Sequence, residues 1–519
     1  MMWILVGLFM ATLMSEDDEV LDHPVLSWEV QPTFWERQAR EQLYFASRLF
    51  PHLVQRRAKS AILFLGKGLT SGGLSSGRLY KAFKAKRTGE VKRMSFEVWP
   101  FSTMCRTYDL ETMSADEASS ATALLTGTKT RSGVLGLTGD VKRGSCHPYT
   151  KHEKTMSILN AAVEAGLATG IVTNTRLTQA PSAANFGYAT SQGSENDIEV
   201  NRQCDETTDL NSMDLAKQLV LEHPMINVLL GGGQENFYPN TSSLPSDATR
   251  RGLRGDGLFL TDIWLSTLRD MGRSAEYAGK ISELHEKVLT RPDYLLGLLA
   301  PSHLPAEIGR KPTEPGLANL TKVALEVLMN QGKGYFLFVE GGPTDKSYVS
   351  DNSRQVGYLL QLFLKHRRIL EEILAFDDAV KAAVDMVNLR ETLIIVVAFP
   401  SQRIEDYHEF NRFRKNLHFL DKASTAGSER SRLNFSQDDG RGGEDTGVYA
   451  IGPLSHLFHR TIDDTFIAHA MKFALCLPPH HRDNTRCRMV RGEMGTYKEN
   501  KAFNDLMKYF LTLTKSFLN

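Results

Sequence analysis

Glu117, Glu340 and Lys67 are residues whose types and settings could do chemistry. Glu340 and Lys67 each stand where an apolar run stops. Tyr335-Phe336-Leu337-Phe338-Val339 leads into Glu340, and Ala61-Ile62-Leu63-Phe64-Leu65 leads through Gly66 into Lys67. Such runs read as strands buried on both faces, and sites in open α/β sheets form where loops leave the carboxyl ends of strands. The loop after Ala398 closes a third such run, Leu393-Ile394-Ile395-Val396-Val397-Ala398. Glu117 lies in the run Asp116-Glu117-Ala118-Ser119-Ser120-Ala121-Thr122-Ala123. A carboxylate there has the chemistry of a general base, although only cationic side chains such as Lys67 would be on hand to stabilise an oxyanion.

The elements that must position these residues follow from periodicity. Further apolar runs, Gly170–Asn174 and Ile226–Leu230, end in polar residues or in Gly231-Gly232-Gly233. Helical patterns lie between, as at Lys154–Ala165 and Thr321–Asn330. Continuous apolar strands alternating with helices predict an α/β fold, a large and mostly parallel central sheet with helices on both faces. Pro32 to Phe50 reads as an amphipathic helix, with Trp35, Ala39, Leu43, Ala46, Leu49 and Phe50 at helical spacing. The polar stretch Ser424–Gly443 reads as an exposed loop.

Several blocks in order resemble the alkaline phosphatases of animals. They are Phe64-Leu-Gly-Lys-Gly68, Asp116 to Lys129, Thr173-Asn-Thr-Arg-Leu177, Leu230-Gly-Gly-Gly233, Phe338-Val-Glu-Gly-Gly342 and Gly442-Gly-Glu-Asp445. The resemblance implies one alkaline-phosphatase-like domain over about residues 31–490. It implies a crown loop shortened at about 400–440, leaving 491–519 as a tail.

The same resemblance exposes what is missing. The family's nucleophile is a serine that opens a helix, where free N–H groups and the dipole favour an anion. Here that position holds Glu117, with fixed negative charge and different geometry. Two zinc ions and one magnesium ion do the family's chemistry, held by carboxylates and imidazoles. At the matching positions this chain has Lys67, Phe399, Pro400, Arg441, Val349, Pro181 and Gln179, and Gln192 near the place of the phosphate-clamping arginine. A supplementary calcium site is weakened by Ala300. Only Glu340 and Asp345 keep ligand chemistry, and two carboxylates cannot hold three divalent ions. No cofactor is therefore expected. Left without metals, the carboxylates are expected to pair with Lys67 and Arg441: Lys67 with Glu340, and Arg441 with Asp345 or Glu117. The alternative is that both cations snorkel to solvent.

The remaining features concern the compartment. The chain has 519 residues, with Lys+Arg and Asp+Glu both at 61, so net charge points to no nucleic-acid partner. The apolar run Trp3–Met14 is too short to span a bilayer. It fits a secretory signal over residues 1–15, or else a buried N-terminal segment. Five cysteines fit an oxidising compartment. Cys146 with Cys204 and Cys476 with Cys487 are plausible pairs leaving Cys105 over, although sequence leaves connectivity open. Asn240, Asn319 and Asn434 head sequons that fit N-glycosylation but also arise by chance. The C-terminal segment is too polar and short for a GPI-attachment tail. The expectation is a secreted phosphatase homologue that is inactive and acts by binding, as a homodimer or with an active paralogue. The alternative is a phosphomonoester hydrolase with a rebuilt site. The Pro32–Phe50 helix resembles one that lies against a partner subunit, or else it packs on its own chain.

Overall fold

The computed structural model describes residues 28–49, 57–87, 91–204, 213–312, 314–342, 358–399 and 445–480, together with Cys487. Asp345, Val349, Pro400, Arg441, Asn434, the N-terminal run, the crown-loop region and the tail lie outside the described residues.

Ten strands form one sheet: β1 (Ser60–Lys67), β2 (Phe101–Arg106), β3 (Ala168–Arg176), β4 (Val228–Gly232), β5 (Ala275–Ala278), β6 (Tyr294–Leu298), β7 (Tyr335–Gly341), β8 (Thr392–Phe399), β9 (Thr446–Ile451) and β10 (Ile462–Asp463). They lie in the order β10-β2-β9-β8-β1-β7-β3-β4-β6-β5. Every pairing is parallel except the two made by β9, with β2 and β8.

β1 is buried along its whole length, and its side chains alternate between two cores. Ala61, Leu63 and Leu65 enter one; Ile62 and Phe64 enter the other. The first core is completed by Ala118 and Ala121 of the helix Glu117–Thr126 and by Phe466 and Ile467 of the helix Asp464–Ala474. The second is completed by Leu320 and Ala324 of the helix Leu317–Asn330 and by Ile373 and Phe376 of the helix Tyr358–Met386. Both faces of the sheet are thus covered. Each large side chain taken from water here contributes about 1.5–3 kcal/mol.

The amphipathic helix forms over Pro32–Leu49, and its apolar face packs within its own chain. Trp35, Ala39 and Leu43 are buried, the last two in the first core. That stripe is therefore not available to a partner; Tyr44, on the same helix, remains 53% exposed. The disulfides are Cys146–Cys204 and Cys476–Cys487, and Cys105 is free and buried. Among the described residues no helix is long and apolar enough to cross a membrane.

Candidate functional site

The sheet register gathers the chemistry-bearing side chains on one face. Leu65 lies opposite Glu340, Glu340 opposite Thr173, and Lys67 opposite Phe399. Neighbours in a parallel sheet point to the same side, and side chains alternate along each strand. Lys67 shares a side with Leu65, so Lys67, Glu340, Thr173 and Phe399 all rise on the face that carries the Glu117 helix. Gly342, just past β7, has φ +124°, and a Cβ there would meet the Lys67 carbonyl oxygen at 2.5 Å. Close approach of the two strand ends thus requires glycine.

Glu117 is the first residue of its helix. Asp116 caps that helix, its side chain accepting from the Ser119 N–H. The N-terminal position suits a negative charge. At the other end Gly127 closes the helix with φ +84°. Buried side chains satisfy the last carbonyls: Lys472 Nζ donates to Thr126 O at 3.0 Å, and His469 Nε2 lies 2.9 Å from Gly127 O.

Burial pushes the Lys472 ammonium down to about 8. The folded state therefore gives up this proton below the ordinary lysine value. Stability is expected to rise between about pH 8 and pH 10, where the unfolded chain binds the proton and the folded chain does not. A Lys472→Met variant should lose that rise, as read from urea midpoints across the window.

Lys67 stands at the centre of the site and is 1% exposed. Its Nζ donates to Glu117 Oε2 at 3.1 Å and lies 3.1 Å from Glu340 Oε1. The second contact is an ion pair by distance but lacks hydrogen-bond geometry, so Glu340 Oε1 receives charge without a hydrogen bond. Glu340 Oε2 accepts from Ser182 Oγ at 2.7 Å and Thr173 Oγ1 at 3.1 Å, with Thr175 Oγ1 at 3.5 Å. Gln179 Nε2 reaches Glu117 Oε2 at 3.4 Å. Burial works against the Lys67 charge, but the carboxylates of Glu117 and Glu340 outweigh it and raise its pKa. The ammonium is held charged, away from solvent, and does not snorkel. Sequence reasoning missed the three hydroxyls. Their signal was the i, i+2 spacing of Thr173 and Thr175 at a strand end, which puts them on one face.

The other site positions offer little donor chemistry. Phe399 is buried, Pro181 lies in the short helix Ala180–Ala183, and Gln192 is exposed on a turn. The guanidinium of Arg176 is held by Glu195, with Nη2 to Oε1 at 2.6 Å. Among the described residues no group of three or more His, Cys, Asp or Glu side chains is placed to hold a metal ion. These residues do not fit two zinc ions and a magnesium ion. A divalent cation between Glu117 and Glu340 would sit against a permanent ammonium. Glu117 Oε2 is engaged by both Lys67 and Gln179.

A second buried charge cluster, also missed by sequence reasoning, lies on the flank of the Glu117 helix. Lys129 Nζ is 2.6 Å from Asp464 Oδ1 and 3.3 Å from Asp463 Oδ1, and it donates to Tyr108 O at 2.5 Å. It anchors the turn after that helix to the end of β10.

Residues 58–405 match the family model described as "Alkaline phosphatase". The chain is 31% identical over 491 residues to the tissue-nonspecific alkaline phosphatase isozyme of Gallus gallus, covering 87% of this chain and 91% of that protein. It is 30% identical over 494 residues to the membrane-bound alkaline phosphatase of Bombyx mori, covering 87% and 86%. Among solved structures it is similar in fold to the alkaline phosphatase of Thermus thermophilus, with TM-score 0.57, 19% identity and coverage of 84% of this chain and 96% of that one.

Proposed function

The chain belongs to the alkaline phosphatase family, and on that premise we propose that it is a secreted member that has lost the family's catalysis and acts by binding. One observation carries the reading. The Lys67 ammonium, buried between Glu117 and Glu340, supplies fixed positive charge where the resemblance calls for a metal-bound carboxylate. Glu117 supplies fixed negative charge at the helix N-terminus where the resemblance calls for a serine that becomes phosphorylated. The pair places charges of the same signs as an occupied site, without a labile bond. Secretion is supported by the two disulfides, which belong to oxidising compartments. Asn240 and Asn319 are exposed and open to glycosylation. We propose that Arg441, which with Asp345 lies outside the described residues, pairs with Asp345 or Glu117, and that the chain forms a dimer with its own copy or an active paralogue.

Protein purified without chelators is expected to carry no stoichiometric zinc and to turn over no p-nitrophenyl phosphate at alkaline pH. Two tightly held zinc ions per chain with turnover would instead establish a rebuilt phosphomonoesterase. Glu117→Ser alone is expected to leave turnover absent, because a serine needs a base or metal to lower its pKa. Turnover by that variant would show that the metal ligands have been misplaced.

A further inference from the structure

Away from the site, the helix Ser71–Lys84 and the segment after it carry a dense set of cations. From Lys81 to Arg93 there are six basic residues and one acidic residue, Glu90, in a chain whose basic and acidic totals are equal. The fold brings them to one surface. Lys84, Lys86, Arg87 and Arg93 are exposed. Lys81 Nζ donates to Arg93 O at 2.9 Å and ties the second segment to the helix. The Arg87 N–H donates to Ala82 O at 2.9 Å and folds Lys86 and Arg87 back on the helix end. Exposed Arg367 joins from the facing helix, beside Tyr80.

Acidic neighbours neutralise only part of this charge. Glu371 pairs with Lys84 at 2.7 Å and Asp377 pairs with Lys81 at 2.5 Å. Lys86 and Arg87 make no ion pair among the described residues. Phe83 stands among the cations with 60% of its surface exposed. Its ring stacks on Tyr80, with centroids 6.4 Å apart and an interplanar angle of 16°. The Tyr80 ring is also flanked by Lys84 Nζ at 5.6 Å. The surface therefore combines cations for anionic groups with a fixed aromatic face.

We propose that this surface binds a sulfated polysaccharide. Lysine and arginine hold sulfate esters by charge-assisted hydrogen bonds, and releasing the polymer's counterions drives association. The Phe83 ring offers an apolar plane against which the C–H face of a sugar packs. The disulfides Cys146–Cys204 and Cys476–Cys487 favour an oxidising compartment, where sulfated sugar chains rather than nucleic acids are the polyanions at hand.

The test uses the full-length protein and a heparin oligosaccharide in titration calorimetry. Binding is expected at about 0.15 M NaCl and should weaken steadily as salt rises. Lys86→Glu with Arg87→Glu should weaken it about tenfold or more. The same charge change at exposed Lys142 and Arg143, elsewhere on the surface, should change it less than about twofold. Phe83→Ala should weaken binding with the salt slope unchanged. The proposal is overturned if no binding is seen at that salt, if both double variants lose affinity equally, or if Phe83→Ala binds as tightly as the parent. Equal affinity for single-stranded DNA or phosphatidylserine vesicles at the same residues would also overturn it, by showing no preference for the sugar chain.

Discussion

Lys67→Ala is expected to destabilise the fold by about 3–5 kcal/mol, read from urea or thermal unfolding. Lys67 is a fully buried cation that balances Glu340, itself wholly buried, and Glu117, whose side chain keeps 15% exposure. Removing it strands a carboxylate in the interior, and the cost of a buried unpaired charge exceeds the worth of the lost contact. Glu117 can turn toward water; Glu340 cannot. Most of the loss is thus expected to come from Glu340. Replacing both partners tests that assignment. A Lys67→Met, Glu340→Met double variant should lose less than the sum of the single losses by about 2 kcal/mol, because the one carboxylate left, Glu117, can turn toward water. A single-variant loss below about 1 kcal/mol would place Lys67 with the weak ion pairs of exposed surfaces and remove the basis of the fixed-charge reading.

How much of this was legible beforehand depended on the kind of signal. β1, β3, β4, β7 and β8 were read because they are buried on both faces and so form unbroken apolar runs. β5 escaped because Ala275–Ala278 is an edge strand, half exposed along most of its length, with no period to read. β2 hid for a different reason: buried and exposed positions alternate there with polar residues on both faces, and in β9 buried positions alternate with half-buried Gly447 and Tyr449. The helix Tyr358–Met386 was missed although Leu370, Ile373, Phe376, Val380 and Ala383 keep helical spacing. Its charged residues form buried or cross-helix pairs, such as Asp377 with Lys81, and so look like a solvated stretch.

The site divides along similar lines. The strand ends carrying Lys67 and Glu340 are local features and were readable as such. That Lys67 reaches Glu117 across fifty residues, and that the hydroxyls of Thr173, Thr175 and Ser182 converge on Glu340, is a matter of register and of helix placement over the sheet. The same holds for Lys129 with Asp463 and Asp464, which meet only because the end of β10 lies under the turn after the Glu117 helix. Apart from Lys67 with Glu340, a pairing that the family resemblance suggested, residues that pair at long range carry no mark in the sequence until the fold is known.

Glu340→Ala is expected to cost at least as much as Lys67→Ala, about 3–5 kcal/mol, and for a second reason besides charge. Glu340 is the common acceptor for Ser182 and Thr173, with Thr175 at its margin. Alanine would leave the buried Ser182 hydroxyl without its acceptor, at about 1–3 kcal/mol, while Thr173 and Thr175 keep each other and the Arg176 carbonyl as partners. It would also open a void at the carboxyl end of β7, an interior strand. Lys67 would retain Glu117, so the ammonium would not be stranded, and this separates the two variants. In Lys67→Ala the damage is one uncompensated charge; in Glu340→Ala it is a lost hydrogen-bond hub. Glu340→Gln distinguishes them, since its amide oxygen still accepts from Ser182 and Thr173 while the charge is gone. It should recover about half of the Glu340→Ala loss if the hydroxyls matter as much as Lys67. Recovery of nearly all of it would make the ion pair incidental. No recovery would leave charge balance as the whole of Glu340's role.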